Sequence, residues 1–350
     1  MDMYCKDDPY ERFQLIVNGP ALFNAIVAGI ELRVFHLLSE HNGATFNELA
    51  GHTGLGDHQL RVLMFALGVT MLIEKEGDKY LNTPLAEDYL ASDKEDSWSH
   101  ILLGWQRVYY PAFTQTTEAL RRGTNIALGA YPGSGRTLYE RLSQTPDLQQ
   151  LFYNAMAAFT LRSLPGLLNN ADLSTVSCLL DIGGGDGCTA RAIARRFPGI
   201  EVTIFDFPPV AALASQSLSP GEEENVKVCA GDFLRDPFPQ GVDAVLFSHV
   251  LEVFDEEHIC GLLRRAYDSL RSGGHILIYG FNASGDETSG PLGARLTLYL
   301  NVLATGYGMS YPAADYERWL QRAGFRNVRT TSGLPYEHGL TVGYKEDAST

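Results

Sequence analysis

Residues 248–258 read SHVLEVFDEEH, and they hold two histidines and four acids. Three kinds of chemistry fit such a cluster. The groups can hold a metal, one of them can act as a general base, or the acids can be the charged start of a helix. A metal needs two or three convergent ligands. His249 and Glu252 are three apart, but the apolar run VDAVLFS leads into them, so they sit at a strand end and need not share a face. Asp255, Glu256 and Glu257 suit a first helical turn, where acids favour the dipole, and His258 joins the same helix surface. No metal is expected. Glu252 is left over, and the elements around it must say what it does.

The chain has 350 residues, more than a single core usually holds, so two domains are expected. The net charge of −15 argues against phosphate backbones and anionic membranes as partners. The cysteines are Cys5, Cys178, Cys188, Cys229 and Cys260. Their odd number and the absence of C-x-x-C spacing fit reduced thiols in a cytoplasm. The acidic start MDMYCKDDPYERF is unlike a secretory signal. No apolar run is expected to span a membrane.

Residues 1–165 read as mostly helical. In GATFNELAGHTGLGDHQLRVLMFALGV, Thr45 starts a short helix, Gly54–Gly56 breaks it, and Asp57 can cap a second. LIEKEGDKYLN follows as a hairpin with a Gly-Asp turn. Helix, turn, helix and hairpin make the winged-helix pattern. DNA binding is the reading this invites, but the second helix offers only His58 and Arg61 to a groove. Its Leu60, Val62, Leu63, Phe65 and Leu67 suit burial instead. A dimerisation and substrate-covering module is preferred, and the apolar face of residues 11–39 points to a homodimer.

Residues 166–350 alternate strands and helices, and the Pro/Gly/Asn-rich link near 163–175 suits a boundary. VSCLLDIG, EVTIFDFP, VKVCAGDF, VDAVLFSHVL and HILIYGF read as strands, with CTARAIARRFPG and DEEHICGLLRRAYDSLRSGG as helices. This is the grammar of an α/β, Rossmann-like doubly wound parallel sheet with helices on both faces. In LLDIGGGDGC a strand ends at Asp181 and Gly183, Gly184, Gly185 and Gly187 open a helix. Such glycines let backbone approach a ligand closely, although NAD and FAD sites share the pattern. Asp206 then ends the next strand, where a carboxylate can bind ribose hydroxyls, with Phe207 beside it. Asp232 and Phe233 follow a third strand, one able to accept from an adenine amine and the other to stack on its ring. Asp186 inside the loop would repel a pyrophosphate and tolerate a sulfonium.

The ordered set LFYNAMAAFT, DIGGGDG, FDFP, GDF and HVLEVFDEEHICGLLRRAYDSLRSGGHILI resembles the class I S-adenosylmethionine-dependent methyltransferases, and most closely the plant and bacterial small-molecule O-methyltransferase family. The resemblance covers nearly the whole chain. It implies S-adenosylmethionine as cofactor, held by Asp181, Gly183, Gly185, Asp206, Phe207, Asp232 and Phe233, with Ser248 at the mouth. In that family the stretch after the fourth strand reads like HVLHDW, and its second histidine is the general base. Here Glu252 stands in that position, Gly280 stands where a supporting glutamate is usual, and Ser310 where a second one is. Glu252 and His249 are the catalytic candidates, although His249 matches a recurring histidine and reads as structural more than as the base. A full proton transfer from a phenol, pKa about 10, to a carboxylate, pKa about 4.3, spans ~6 units and costs on the order of 8 kcal/mol. A carboxylate is better suited to holding a phenol or amine while an electron-rich ring attacks the methyl through carbon.

Met156, Phe159, Arg162, Tyr299, Asn301 and Tyr307 are the substrate-binding candidates and together suggest a flat aromatic molecule. Arg162 or Arg295 could bind a carboxylate. The expectation is a methyltransferase of small phenolic metabolites in secondary metabolism, leaning to ring C-methylation of a hydroxylated aromatic amino acid. The alternatives are O- or N-methylation through Glu252, and an enzyme of the same fold that keeps the cofactor without transferring methyl.

Overall fold

A computed structural model describes residues 8–346, and Cys5 lies outside them. The chain forms two compact units. One reaches to Val108 and takes in Leu151–Ala158; the other is Tyr109–Gln150 with the chain from Phe159 onward. The division therefore differs from a single cut at residue 165. Short helices at Tyr110–Gln115, Thr116–Arg122 and Ile126–Ala130 pack against the π-helical turn Leu300–Ala304, and this ties residues 109–150 to the second unit.

In the first unit, Thr45 caps the helix Phe46–Thr53 in a capping box with Glu48, and Gly54 ends it at φ 68°. Gly56 is the N-cap of the next helix, Asp57–Val69, so Asp57 is a first-turn residue and not the cap. Three strands complete the motif: β1 (Ala44–Thr45), β2 (Ile73–Glu76) and β3 (Lys79–Asn82), in the order β1-β3-β2. Leu60, Leu63, Met64 and Leu67 form the buried face of the second helix at helical spacing. Val62 and Phe65 fall on its other side and are exposed, against the expectation of burial.

The helix Pro9–Glu31 corrects a second expectation. By length and composition it is apolar enough to cross a membrane. Asn18, Gly19, Pro20 and Asn24 interrupt the apolar run to the eye but bring no charge. Tyr10, Phe13, Ile16 and Val17 on it are exposed.

The second unit is built on seven strands: β4 (Cys178–Ile182), β5 (Glu201–Asp206), β6 (Val226–Ala230), β7 (Val242–Ser248), β8 (Leu270–Phe281), β9 (Arg326–Leu334) and β10 (His338–Tyr344). Their order is β6-β5-β4-β7-β8-β10-β9. Strands β4 to β8 pair in parallel, as the alternating pattern predicts. Strand β10 runs antiparallel to both β8 and β9, which a wholly parallel reading misses. The helix expected to reach Gly274 stops at Ser269, because Leu270 already pairs with Val242 as the start of β8.

Strand β4 is buried on both faces, as a central parallel strand must be. Leu180 and Ile182 join Phe247, Leu262 and Trp319 in one core, while Leu179 joins Val202, Ile193 and Leu246 in the other. The parallel strands all end at one edge of the sheet. Because β10 runs the other way, it begins at that same edge, with His338 paired to Phe281 and Gly339 to Gly280.

Candidate active site

The carboxyl edge of the sheet is where an open α/β fold binds ligands. At the end of β4, Gly183, Gly185 and Gly187 all adopt positive φ, at 69°, 63° and 81°. A Cβ on Gly183 would meet Val250 at 2.8 Å, whereas one on Gly185 would meet nothing within 4 Å. Gly185 therefore presents bare backbone to open space. Its N–H donates to Asp206 Oδ2 at 2.9 Å, and the Phe207 N–H donates to Oδ1 at 2.7 Å. Burial pushes the Asp206 carboxyl up to about 6, against the pull of these two N–H groups.

Asp181 lies beneath the loop with neither carboxyl oxygen hydrogen-bonded among the described residues. Burial, and then the nearby Asp206 charge, push it up to about 8. A buried acid without donors is costly unless a bound group supplies them. The open cradle at Gly185, the orphaned Asp181 and the buried Asp206 fit a ligand with ribose hydroxyls and a positive charge. Asp232 Oδ1 accepts from the Leu234 N–H at 2.9 Å. The rings of Phe207 and Phe233 meet at 4.7 Å between centroids. That leaves no room for a third ring between them, since each stacking layer needs about 3.5–4 Å.

The opening cluster separates into two groups. Asp255 caps the helix Glu256–Ser269 by accepting from the His258 N–H, Glu256 pairs with Arg322 at 2.6 Å, and His258 bonds Asp255 through Nδ1 at 2.7 Å. Those residues begin a helix; Asp255 is its cap and not part of its first turn. His249 and Glu252 turn inward. Among the described residues, no group of three or more His, Cys, Asp or Glu is placed to hold a metal.

Glu252 is 3 % exposed. Burial pushes its carboxyl up to about 7, while the backbone N–H groups of Glu252 and Phe281 pull it down. A Cβ on Gly280 would lie 2.9 and 3.0 Å from its two oxygens. The carboxylate thus fills the space that the missing side chain at 280 leaves, and a glutamate at 280 could not stand beside it. Ser310 contributes no acid, and its buried hydroxyl has no hydrogen-bond partner among the described residues.

His249 has φ 57°, with its N–H bonded to the Tyr279 carbonyl at 2.8 Å. Its Nδ1 is 3.3 Å from Ser248 Oγ and its Nε2 is 2.6 Å from His338 Nε2. The sequence reading missed His338. It lies 89 positions from His249, beyond any local spacing, and only the reversed direction of β10 brings it in. Phe159 stacks on Phe281 at 5.4 Å and lies edge-on to His249 at 6.2 Å.

The other substrate candidates divide. Tyr299 is buried and stacked on Tyr109 at 3.9 Å, and the Asn301 amide donates to the carbonyls of Thr297 and Gly308. Both serve the fold. Tyr307 stacks on His258 at 5.7 Å. Arg162 is half-buried. Arg295 lies over the Tyr109 ring at 5.4 Å. Met156 belongs to the first unit and is exposed.

Residues 113–326 match the O-methyltransferase domain family. An L-tyrosine C(3)-methyltransferase of Streptomyces lavendulae is 34 % identical over 96 % of this chain and 93 % of its own length. A 3-hydroxy-5-methyl-1-naphthoate 3-O-methyltransferase of Streptomyces sahachiroi is 31 % identical over 91 % of each. Among solved structures, the S-adenosylmethionine-dependent methyltransferase SibL in its apo form aligns with a TM-score of 0.85 at 31 % identity, covering 96 % of this chain and 99 % of that one. Human N-acetylserotonin methyltransferase in complex with S-adenosylmethionine aligns with a TM-score of 0.84 at 26 % identity, covering 98 % of this chain and all of that one.

Proposed function

The chain belongs to the O-methyltransferase domain family and is an S-adenosylmethionine-dependent methyltransferase of aromatic metabolites, and within that family we propose that it methylates a ring carbon of a hydroxylated aromatic amino acid. The carrying observation is the Glu252–Gly280 pair. A buried carboxylate fills the space beside Gly280, at the position where the resemblance implies a histidine base. With Glu252 near 7, the gap to a phenol near 10 shrinks to about 3 units, on the order of 4 kcal/mol. That favours a strong hydrogen bond to the phenol over its full deprotonation. Electron density then rises at the ring carbons beside the hydroxyl, where a methyl can be accepted. The named L-tyrosine C(3)-methyltransferase, similar over nearly its whole length, supports the same reading.

The bound cofactor supplies an electrophilic methyl on a sulfonium. Asp206 would take the ribose hydroxyls, and Gly183 and Gly185 would let the methionine part approach. Asp181 would accept from the donors above it, Asp232 would meet the adenine edge, and Phe207 or Phe233 would stack on one adenine face. Ser248 would stand at the mouth. Phe159 would pack on the substrate ring, with Tyr307 as a further wall. Arg162 or Arg295 would be the cation for a substrate carboxylate. The rest is in-line positioning of ring carbon, methyl and sulfur.

The enzyme would work in the cytoplasm as a homodimer joined through the exposed apolar face of Pro9–Glu31. The deciding experiment is product analysis with L-tyrosine and related hydroxylated aromatic amino acids. A methyl on a ring carbon supports the reading; a methyl on oxygen or nitrogen replaces it with the corresponding transferase. Unchanged substrate beside an intact, cofactor-bound enzyme would mean transfer has been lost.

A further inference from the structure

The hydrogen bonds around His249 fix its tautomer. His338 Nδ1 lies 2.8 Å from the carbonyl oxygen of Tyr336, which can only accept, so Nδ1 carries the proton. Burial drives His338 down to about 4, so its other nitrogen is a bare lone pair at neutral pH. His249 Nε2 is 2.6 Å from that lone pair and must donate to it. The remaining nitrogen, His249 Nδ1, is then an acceptor, and Ser248 is the hydroxyl beside it. The chain of bonds runs one way: Ser248 to His249, His249 to His338, His338 to backbone.

Residues at both ends of this chain of bonds lie in the left-handed region, His249 at the end of β7 and Tyr336 and Glu337 in the turn from β9 to β10. His249, Tyr336 and Glu337 have φ of 57°, 62° and 61°. They are three of the eight non-glycine residues with positive φ among those described. Conformations of this kind cost of order 1–3 kcal/mol each and cluster at functional sites. The aromatic rings of Phe159, Tyr279 and Phe281 surround the pair. Packing alone does not call for two imidazoles joined head to head.

Carbon methylation must remove its proton from a ring carbon, whereas methylation at oxygen removes it from the hydroxyl. The methyl–sulfur bond breaks with its electron pair left on sulfur, and a ring carbon forms the new bond to methyl. That carbon then carries both methyl and hydrogen. Its C–H bond must break, the electron pair returning to the ring to restore aromaticity, and the proton needs an acceptor. We propose that His249 Nδ1 accepts this ring proton, becoming an imidazolium, and that His338 is the positioning residue that holds His249 in the accepting tautomer. Glu252 serves the phenol and His249 the ring carbon, so the two proton positions have two separate groups. A weak base is enough, because a ring carbon that has lost its aromaticity is strongly acidic. This rests on the carbon-methylation reading above.

The test uses L-tyrosine deuterated at both ring positions beside the hydroxyl. The wild-type product should lose one deuterium, with no isotope effect on turnover, because proton removal is fast. His249→Ala should slow turnover on the order of 10²-fold and reveal a primary isotope effect. His338→Ala should do the same more weakly, with recovery in His338→Asn, whose amide oxygen can still accept. A product that keeps both deuteriums means the methyl went to a heteroatom and the carbon reading fails. Loss of one deuterium with no isotope effect in His249→Ala overturns the base assignment while leaving carbon methylation intact. Nitrogen NMR of the histidines in the wild-type protein needs neither substrate nor cofactor and is independent of how the variants fold. It should show His249 protonated at Nε2 and His338 at Nδ1; a proton on His249 Nδ1 overturns the proposal.

Discussion

The two ends of the site are built differently. At the proposed cofactor end, Gly185 and Phe207 are joined by backbone N–H groups donating to the Asp206 carboxylate, over 2.9 and 2.7 Å. At the reacting end, Glu252, Gly280, His249 and His338 come from three separate segments and are fitted by side-chain volume and imidazole tautomer. At the cofactor end the glycine loop should tolerate change poorly, because Gly183, Gly185 and Gly187 all adopt positive φ. At the proposed reacting end the two positions are coupled: the carboxylate at 252 fills the empty space at 280. A family can thus keep one cofactor while altering which substrate atom receives the methyl.

The largest expected effect separates the two ends. Glu252→Gln should lower kcat by about 10²–10⁴-fold, while titration with S-adenosylmethionine gives an affinity close to wild type. Unchanged turnover would remove Glu252 from the mechanism. The pH dependence has a defined sign. If the ionised carboxylate is the active form, wild-type kcat rises with pH through about 7 and then levels. That inflection should vanish in Glu252→Gln.

The converse experiment is Asp206→Ala. A cofactor at a hundred times its Kd stabilises the folded protein by about 2.7 kcal/mol. In a thermal-shift assay the variant should lose most of that gain, while NAD should shift neither protein. Retention of the full shift would place the ribose elsewhere.

The linkage between 252 and 280 can be tested by exchanging residues. Gly280→Ala puts a Cβ about 3 Å from both Glu252 oxygens and should cost roughly tenfold in kcat, with little change in cofactor affinity. Glu252→His alone should fail as a carbon methyltransferase, through lost geometry. If it instead preserves or raises the rate, Glu252 is a substitute base and the enzyme transfers to a heteroatom.

The smallest expected effect lies beneath the glycine loop. Asp181 is raised to about 8, so its neutral form is favoured in the folded state. The unfolded chain loses that proton near pH 4, and stability therefore falls as pH rises from about 4 towards 8. Asp181→Asn cannot ionise. Its Tm relative to wild type should increase between pH 5 and pH 8, by about 2–4 °C for each kcal/mol relieved. A constant difference across that range would show that Asp181 is satisfied in solution.

How much could be read in advance follows the same division. The alternation of strands and helices, the glycine loop and the acids at the strand ends are local patterns, and period and turn chemistry make them visible over a few residues. The capping box at Thr45 and the helix start at Asp255 are visible for the same reason. The apolar length of Pro9–Glu31 was in the sequence too, but uncharged polar residues hid it.

Other features depend on contacts between distant positions. Val62 and Phe65 are as apolar as Leu63, and only the packed helix face decides which of them are buried. The role of Tyr110–Gln115 and the segments after it depends on their packing against Leu300–Ala304. The sequence alone set the fold class, the cofactor motif and the anomaly at position 252, because each is written in neighbouring residues. Tertiary structure alone decided that Gly280 makes room for Glu252, and that His338 meets His249. Strand direction and excluded volume settle both, acting between residues 28 and 89 positions apart.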